Sequence, residues 1–419
     1  MTAFDPTLLR QRFPSLTHSQ AIFFDNPGGT QVPQSVINAT AHYYRECNAN
    51  IGGAFPTSQR TDAILKETRQ AMADFLNAPS PECLIFGANM TTLTFHLARS
   101  IAETIAPGDE IVITTLDHDA NVTPWTDLEA AGAVIRVAGV LPDGALDMNS
   151  LQSLLSERTR LVAVTHASNA VGAVPDAAKI IEMAHAVGAW VFVDAVQFAP
   201  HGPIDVQALD CDFLACSAYK FFGPHIGILY GKAEHLTTLR PHKVRPAKDG
   251  LPYRWETGTQ NHEGFAAVGA ALAYLNDIGE MFGAEWRDEY AAQNYTGRRL
   301  SMKTAMRAIL EYEKTLSHAL ISGLQTVPGL KIYGPTDLNR LEQRIPTLAF
   351  TWEALSPRET AEQLAARNIC CWSGNYYALL LMEHWNLEAS GGAVRIGLAH
   401  YNTLAEIEFL VHSLREIQG

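Results

Sequence analysis

The sequence lacks the features that mark membrane, secreted and nucleic-acid-binding proteins. No stretch reaches the roughly 18 uninterrupted apolar residues of a membrane-spanning helix, and the start, MTAFDPTLLRQRFPSL, has no basic patch followed by an apolar run. Acidic residues outnumber basic ones by 44 to 31, and no cluster of lysine and arginine stands out. We therefore expect a soluble cytoplasmic protein that binds a small molecule, not a nucleic acid or a membrane.

Cysteine is also scarce, and its spacing does not match the usual metal-binding motifs. Because no paired ligand spacing occurs, we expect no metal site and no structural disulfide. Several of the cysteines lie in apolar runs, where a reduced thiol packs as a small core residue. The six are Cys47, Cys83, Cys211, Cys216, Cys370 and Cys371.

The 419 residues, 47% of them apolar, can bury a large core and form two or three domains. From about residue 61 to 232, helical patterns alternate with short apolar runs, which predicts a mainly parallel sheet between helices. A second alternation of strands and helices begins near residue 328. We predict an α/β fold with an N-terminal segment at 1–20 that packs with the small domain, a large cofactor-binding domain at 21–285 and a small α+β domain at 286–419.

Polar residues follow the apolar runs of the first alternation. Because ligands of such sheets bind beyond the carboxyl ends of the strands, these residues are the first candidates for a site. They are Asp117, His118, His166, Asn169, Asp194, Gln197 and Lys220.

Lys220 ends an apolar run in CSAYKFFGPHIG and precedes a Gly-Pro turn, an unusual place for a solvated charge. Burial would lower its pKa and leave a neutral amine that can attack an aldehyde, which a Schiff-base cofactor requires. The alternative is an edge lysine whose stem is buried and whose head reaches water.

Asp194 ends the almost wholly apolar run WVFVD, where an unpaired carboxylate would be costly. A protonated pyridine nitrogen would supply a cationic partner, and the aspartate would keep that nitrogen protonated so that the ring can accept electrons. The alternative is that Asp194 caps the helix that follows.

Other residues could hold the remaining parts of such a ring. His118 could stack on its face, while Asn169 and Gln197 could hydrogen-bond its phenolic oxygen. A phosphate needs donors at a helix start, and GANMTTLTFHLA offers Asn89, Met90 and Thr91 there. The alternatives are that Asn169 and Gln197 are ordinary polar residues at the surface and that Thr91 caps the helix.

Over nearly its whole length the chain resembles the class V aminotransferase family of fold-type I pyridoxal-phosphate enzymes. Within that family it resembles the branch of cysteine desulfurases and selenocysteine lyases. The segments that carry the resemblance are IFFDNPGGTQVPQSVI, LDHDANVTPW, THASNAVGAV, VDAVQ, SAYKFFGPHIGILYG, ETGTQN and VRIGLAHYNT. The resemblance implies a large domain with a seven-stranded, mainly parallel sheet.

The resemblance also implies roles for single residues. Lys220 and His118 would be catalytic, Lys220 as the Schiff-base lysine and His118 stacked on the ring, with Asp194 on the pyridine nitrogen. Arg395 would bind the substrate carboxylate, for which a guanidinium fork is better suited than an amine, and its alternative role is a surface ion pair. The further cofactor and substrate residues would be Asn89, Met90, Thr91, Asn169, Gln197, Ser217, Tyr219, Asn26 and Tyr377. Thr259 would reach the phosphate of a partner subunit, which implies a homodimer with shared active sites.

The stretch WSGNYYA departs from the resemblance at the point that matters for sulfur chemistry. Desulfurases of this branch carry a nucleophilic cysteine there, whereas this chain has Tyr377, and Trp372 replaces an arginine. A phenol cannot accept sulfur to form a persulfide. Cys370 and Cys371 lie five or more residues ahead, where core packing is the expected role. Gly52, Phe55 and Asp119 are further departures, which together predict an altered substrate.

We therefore predict a pyridoxal-phosphate enzyme that removes the α-proton of an amino acid with Lys220 and completes a β-elimination, as a C–S lyase does. An aminotransferase and an epimerase remain alternatives, with Tyr376, Tyr377 or His400 as possible proton donors. A non-catalytic protein on this fold is a second alternative, because fold does not fix function.

Overall fold

The computed structural model describes residues 4–418. Its α-helices are α1 Pro6–Arg10, α2 Pro14–His18, α3 Gln34–His42, α4 Pro56–Leu76, α5 Met90–Ala102, α6 Thr123–Thr126, α7 Met148–Leu154, α8 Ala177–His185, α9 Val206–Leu209, α10 Ala233–Thr238, α11 His262–Phe282, α12 Arg287–Ala292, α13 Gly297–Leu324, α14 Pro357–Ala365, α15 Leu379–His384 and α16 Leu404–Gln418. Its strands are β1 Ile22–Phe23, β2 Leu84–Gly87, β3 Glu110–Thr114, β4 Val134–Ala138, β5 Thr159–Thr165, β6 Trp190–Asp194, β7 Phe213–Ser217, β8 Gly227–Gly231, β9 Leu330–Tyr333, β10 Thr347–Trp352, β11 Ile369–Cys370, β12 Trp372–Gly374 and β13 Ala393–Gly397.

The central sheet has seven strands in the order β2-β8-β7-β6-β5-β3-β4. Strand β8 runs antiparallel to both of its neighbours, and the other neighbouring strands pair in parallel. The predicted α/β class with a mainly parallel seven-stranded sheet is thus confirmed.

Both faces of this sheet are covered, so its central strands contribute side chains to two separate cores. In β6, Val191 and Val193 belong to one buried cluster and Phe192 to the other. Successive residues of a strand point to opposite faces. A strand buried on both faces needs apolar residues at every position, which is why β6 and β7 read as continuous apolar runs in the sequence.

The second sheet belongs to the C-terminal part of the chain and is antiparallel, in the order β12-β13-β10-β9. Its core contains residues of β10, β13 and α16. Helix α13 joins the two parts, because Met306 packs in the core of the large sheet whereas Leu320 packs in that of the small one. The boundary at residues 285 and 286 stays a prediction.

The N-terminal segment contacts both parts of the molecule. Arg10 forms an ion pair with Glu406 of α16 at 2.9 Å, and Arg12 forms one with Asp277 of α11 at 2.9 Å. Phe13 packs edge-on against Tyr274 of α11 with ring centroids 5.3 Å apart. The segment therefore bridges the large and small parts instead of packing with the small one alone.

Two classes of feature are absent from residues 4–418. None of the helices there combines the length and the apolar character that a membrane crossing requires. In the same part of the chain, no three His, Cys, Asp or Glu side chains are grouped as a metal ion would need.

Candidate active site

The carboxyl ends of β5, β6 and β7 open into a cavity of about 280 Å³ that the C-terminal part closes from the other side. Carboxyl ends of parallel strands meet at one edge of a sheet, so residues far apart in sequence converge there. The predicted residues that line the cavity are Asn89, Met90, Thr91, His118, Asn169, Asp194, Gln197, Ser217, Tyr219, Lys220, Tyr377 and Arg395.

Lys220 lies three residues beyond the end of β7 and is only 6% exposed. Burial, together with the positive charge of Arg395, lowers the pKa of Lys220 to about 7, against the opposing pull of Asp194 and Asp25. Its Nζ donates a hydrogen bond to the carbonyl of Pro27. A large fraction of this amine is therefore neutral near pH 7, as attack on an aldehyde requires.

Asp194 is the last residue of β6 and is 4% exposed. Burial raises its pKa to about 6, and the amide of Val196 partly offsets this by donating to Oδ1 at 2.9 Å. A carboxylate this deeply buried is stabilised when a cation binds beside it. The structure thus leaves Asp194 ready for a protonated ring nitrogen.

His118 is held in place by a buried network around Asp117. The Thr114 hydroxyl and the Asn121 amide donate to the Asp117 carboxyl at 2.5 and 2.7 Å. The Ala120 amide donates to His118 Nδ1 at 2.9 Å, so Nδ1 carries no proton. Burial lowers the pKa of His118 to about 4, and its ring is neutral near pH 7.

The start of α5 forms a corner of the cavity that suits an anion. Asn89 caps the helix through Oδ1, which accepts from the Thr92 amide at 2.8 Å, and the Met90 amide donates to Ser217 Oγ at 3.1 Å. A Cβ at Gly227 of β8 would lie 2.2 Å from the backbone of Asn89, so only glycine lets this turn approach the sheet so closely. The helix dipole favours negative charge at this corner.

The carbonyl of Pro27 is a shared acceptor at the floor of the cavity. Gln197 Nε2 donates to it at 2.8 Å, alongside the Lys220 amine. A Cβ at Gly397 would lie 2.1 Å from the Pro27 ring, so this glycine lets the N-terminal segment lie against β13. Tyr219 completes the floor, with its ring stacked on His225 at 4.7 Å between centroids.

Arg395 enters from β13 and is 5% exposed. Its Nη1 donates to the carbonyl of Asn169 at 2.9 Å, and burial lowers its pKa to about 10. In the part of the chain that the structure describes, Arg395 Nε and Asn169 Oδ1 are buried without a hydrogen-bond partner. Unpaired buried polar atoms are costly, so these two are free to meet a ligand.

Tyr376 and Tyr377 form the rim, and both have positive φ, +57° and +58°. For bulky side chains this conformation costs about 1–3 kcal/mol each. The ring of Tyr376 lies under the Arg395 guanidinium, 4.5 Å from ring centroid to Cζ. The carbonyl of Tyr377 accepts from the Asp119 amide at 2.7 Å, and its ring stacks on His118 at 5.5 Å. The surrounding contacts hold this strained turn over the cavity.

Two of the predicted site residues lie outside the lining. Asn26 is buried, and its Nδ2 donates to the carbonyls of Phe23 and Gly397 at 2.9 Å, so its side chain ties the N-terminal segment to β13 instead of facing a substrate. Thr259 is exposed on the loop before α11. His166, a strand-end candidate, packs against Phe198 with ring centroids 3.9 Å apart.

The structure also adds lining residues that the sequence did not single out as site residues. Trp372 is the largest of them, and Pro27, Gly28, Ala120, Thr165, Ala167 and Val196 are the others. Tyr376, which the sequence suggested only as a possible proton donor, also lines the cavity. The signal for Trp372 was present in the altered stretch WSGNYYA, but its position in the cavity depends on the pairing of β12 with β13.

The family model described as aminotransferase class-V matches residues 22–301 and 296–410 of the chain. The chain belongs to the class V aminotransferase family. Its similarity to curated members extends over almost all of its length. It is 34% identical to a cysteine desulfurase of Synechococcus elongatus, over 99% of this chain and 64% of that protein. It is also 34% identical to a cysteine desulfurase of Cronobacter sakazakii, over 98% of this chain and 97% of that protein.

Solved structures of the family superpose on the whole fold. The apo cysteine desulfurase of Thermococcus onnurineus matches with a TM-score of 0.87 at 27% identity, covering 100% of this chain and 99% of that one. The cysteine desulfurase of Escherichia coli matches with a TM-score of 0.83 at 27% identity, covering 99% of both chains.

Members of the class V aminotransferase family use pyridoxal 5′-phosphate, and the residues of this chain fit that cofactor. The corner made by α5 and Gly227 suits the phosphate, Asp194 suits the ring nitrogen, and Lys220 suits the aldehyde. When bound, the cofactor supplies an aldehyde for amine attachment and a ring that takes up an electron pair from the substrate. The chain is therefore a pyridoxal-phosphate-dependent enzyme that acts on an amino acid.

Proposed function

We propose that the chain catalyses β-elimination on an amino acid with a leaving group at Cβ, without forming a persulfide on the enzyme. The observation that carries the proposal is the composition of the lining. Within residues 4–418 no cysteine lines the cavity, and Tyr377 occupies the rim, with its side chain 70% exposed. A phenol in that place cannot accept sulfur from a substrate.

The two cysteines that precede Tyr377 in the C-terminal part of the chain support the same conclusion. Cys370 belongs to β11, which pairs with β1, and Cys371 follows it before β12 begins. Burial raises the pKa of Cys371 to about 12 and also raises that of Cys370. A thiol must become a thiolate to act as a nucleophile, so neither is activated for sulfur transfer.

Different lining residues would bind the substrate and move its proton. Arg395 has a free buried donor, Nε, that suits the α-carboxylate of an amino acid. Lys220, whose pKa burial lowers to about 7, has a neutral amine available near pH 7 and would take the proton from Cα as general base. With X as the leaving group, the substrate X–CH₂–CH(NH₂)–COOH and one water give pyruvate, ammonia and HX.

A specific observation makes epimerisation the second candidate. Of the three proton donors considered, Tyr376 donates its hydroxyl to the Ala393 carbonyl, and His400 is buried and hydrogen-bonded to Tyr274 at 2.6 Å. Tyr377 is the one whose side chain is exposed at the cavity. An epimerase needs an acid on the far side of Cα from the base, and Tyr377 is the side chain available for that role.

The test is a product assay with the purified holoenzyme and a panel of cysteine, cystine, cysteine sulfinate, S-methylcysteine and alanine. We expect pyruvate and ammonia in a one-to-one ratio from cysteine and S-methylcysteine, whose side chains are uncharged, and none from alanine. Alanine and sulfane sulfur from cysteine would instead establish desulfurase chemistry. Formation of the D-enantiomer without pyruvate would establish the epimerase.

The proposal includes a homodimer. Thr259 lies exposed on its loop, outside the cavity of its own chain, as a residue that serves a partner's active site would. Light scattering should give twice the mass of the 45.8 kDa chain. In a dimer of this kind Thr259→Ala should weaken phosphate retention, and a monomer with full activity would exclude shared sites.

A further inference from the structure

Two large aromatic side chains, Trp372 and Tyr377, stand exposed in the wall of the cavity. They line the same space as Lys220 and Arg395, and they are 56% and 70% exposed. Large aromatic side chains gain free energy when their surface leaves water. Exposed aromatic surface inside a ligand cavity is therefore surface for a ligand to cover.

The sheet holds Trp372 beside the arginine. Strands β12 and β13 are antiparallel, and Trp372 is the direct cross-strand partner of Arg395. Side chains of such partners leave the same face of the sheet, with Cβ atoms about 4.5–5.5 Å apart. A substrate whose carboxylate binds the guanidinium thus has the indole next to it.

Tyr377 is fixed by contacts of its own. Its carbonyl accepts from the Asp119 amide at 2.7 Å, and its own amide donates to Asn375 Oδ1 at 3.1 Å. Its ring stacks on that of His118 with centroids 5.5 Å apart. These contacts set the position of the phenol, so Tyr377 and Trp372 form two aromatic walls.

Each charged side chain in the lining is already assigned to the cofactor or to the α-carboxylate of the substrate. Among the described residues, the cavity has three charged side chains, Asp194, Lys220 and Arg395. Asp194 and Lys220 serve the cofactor, and Arg395 serves the α-carboxylate. His118 is neutral near pH 7 because burial lowers its pKa to about 4. A charged group on the substrate's side chain would find no partner in this lining, and burying it unpaired would be costly.

We propose that this site selects amino acids whose side chain ends in an uncharged aromatic group, and that Trp372 and Tyr377 contact that group. The inference rests on the proposed function for the reaction, but the selectivity itself is a property of binding. An S-benzyl cysteine has the required form. Its carboxylate suits Arg395, its Cβ carries the leaving sulfur, and its ring extends from that sulfur towards the aromatic walls.

The reaction of S-benzyl-L-cysteine balances without an oxidant or a reductant. The electron pair of the Cα–H bond forms the Cα–Cβ double bond, and the pair of the Cβ–S bond leaves with sulfur. The proton taken from Cα is returned to the thiolate, which gives phenylmethanethiol. One water then completes the conversion of the remaining fragment to pyruvate and ammonia.

The first test compares kcat/KM for pyruvate formation within two pairs of cysteine derivatives. S-benzyl should exceed S-methyl by about tenfold, because it adds an aromatic contact and apolar burial. S-carbamoylmethyl should exceed its charged counterpart of the same shape, S-carboxymethyl, by about tenfold, because the lining offers that charge no partner. Equal values within either pair would overturn the proposal.

Single substitutions test whether Trp372 and Tyr377 cause the preference for an aromatic side chain. Trp372→Ala and Tyr377→Ala should each lower the ratio of S-benzyl to S-methyl by about three- to tenfold. Trp372→Arg should raise activity with S-carboxymethyl relative to S-carbamoylmethyl, since it adds a cation. Phe409→Ala is the matched control, because Phe409 is an aromatic residue of α16 that is 43% exposed and lies outside the lining. Ratios that do not change in the Trp372 and Tyr377 variants would sink the assignment.

A binding measurement separates this proposal from the proposed function. 2-Amino-5-phenylpentanoate and norvaline are the carbon analogues of S-benzyl- and S-methylcysteine, and neither has a leaving group on Cβ. Calorimetric titration of the holoenzyme should show about tenfold tighter binding of the phenyl analogue, reduced in Trp372→Ala. Such a result supports the proposal even if no pyruvate forms. Equal binding of both analogues refutes it even if S-methylcysteine gives pyruvate.

Discussion

The cavity has two walls that are built in different ways. The cofactor wall, formed by Asp194, Ser217 and Lys220, lies at the ends of strands in a sheet that is buried on both faces, and each residue is at most 6% exposed. The substrate wall is formed by Trp372, Tyr376, Tyr377 and Arg395. Two of its four members have positive φ and two are more than half exposed.

The difference indicates which parts of the site can change independently. A residue at the end of a doubly buried strand is positioned by the packing of the whole sheet, so altering it disturbs the core. A residue on a rim turn is positioned by only a few hydrogen bonds, such as the one that the Asp119 amide donates to the carbonyl of Tyr377. The substrate can therefore change through the rim while the cofactor chemistry stays in place.

The largest expected effect comes from the cofactor wall. In the proposed mechanism, Lys220→Ala removes both the amine that binds the cofactor and the base that takes the α-proton. We expect pyruvate formation to fall about a thousandfold or more, and the visible absorbance band of the bound cofactor to be lost after dialysis. Lys179→Ala, which alters an exposed lysine of α8, is the control. A dialysed Lys220→Ala enzyme that keeps the wild-type spectrum would refute the assignment.

Arg395, the member of the substrate wall that lies on strand β13, should show the next largest effect. Arg395→Lys keeps the charge but loses the planar fork, so the substrate carboxylate loses about one charged hydrogen bond. We expect kcat/KM to fall roughly a hundredfold, equivalent to about 2–3 kcal/mol. Arg358→Lys alters an exposed arginine of α14 and should leave kcat/KM unchanged. A loss smaller than about threefold would show that another group holds the carboxylate.

Sequence reasoning predicted the cofactor wall better than the substrate wall, and the reason is physical. Asp194 and Lys220 end apolar runs that only a doubly buried strand requires, so their place at the sheet edge follows from local pattern. That Trp372 lies opposite Arg395 depends on strand register, which no local pattern gives. The positive φ of Tyr376 and Tyr377 is likewise imposed by tertiary contacts.

Asn26 is a residue for which sequence reasoning predicted a place in the site that the structure does not give it. The segment IFFDNPGGTQVPQSVI carries part of the family resemblance, and that resemblance implied that Asn26 binds substrate. Its amide instead donates to Phe23 and Gly397, partners 3 and 371 residues away in the chain. The bond to Gly397 joins residues so far apart in the chain that it cannot be derived from sequence alone.

A smaller effect should come from Tyr376, which acts through Arg395 as a positioning residue. Its ring lies 4.5 Å from the guanidinium carbon. Tyr376→Leu removes this cation–π contact, and we expect KM to rise about tenfold at nearly constant kcat. Tyr376→Phe keeps the ring and should restore most of the wild-type KM. A fall in kcat at constant KM, or failure of the phenylalanine variant to restore KM, would contradict a positioning role.

The smallest effect on activity should come from Asp117, which supports the His118 loop without lining the cavity. Burial raises the pKa of Asp117 to about 8, whereas in the unfolded chain it is about 3.9. Between these values the folded chain holds a proton that the unfolded chain has released, so this group makes the free energy of unfolding fall as pH rises. Asp117→Asn removes that titration and can keep both hydrogen bonds, because the Thr114 hydroxyl can turn to accept.

We therefore expect the advantage of Asp117→Asn over the wild type in free energy of unfolding to grow by about 3–4 kcal/mol between pH 5 and pH 8. Urea unfolding of both holoenzymes at several pH values measures it, since titrations elsewhere cancel in the difference. Asp147→Asn, which alters a partly exposed helix cap of α7, is the control. A difference that stays constant with pH would mean that Asp117 is ionised in the folded protein. The His118 loop would then rest on a buried charge that does not titrate between pH 5 and pH 8.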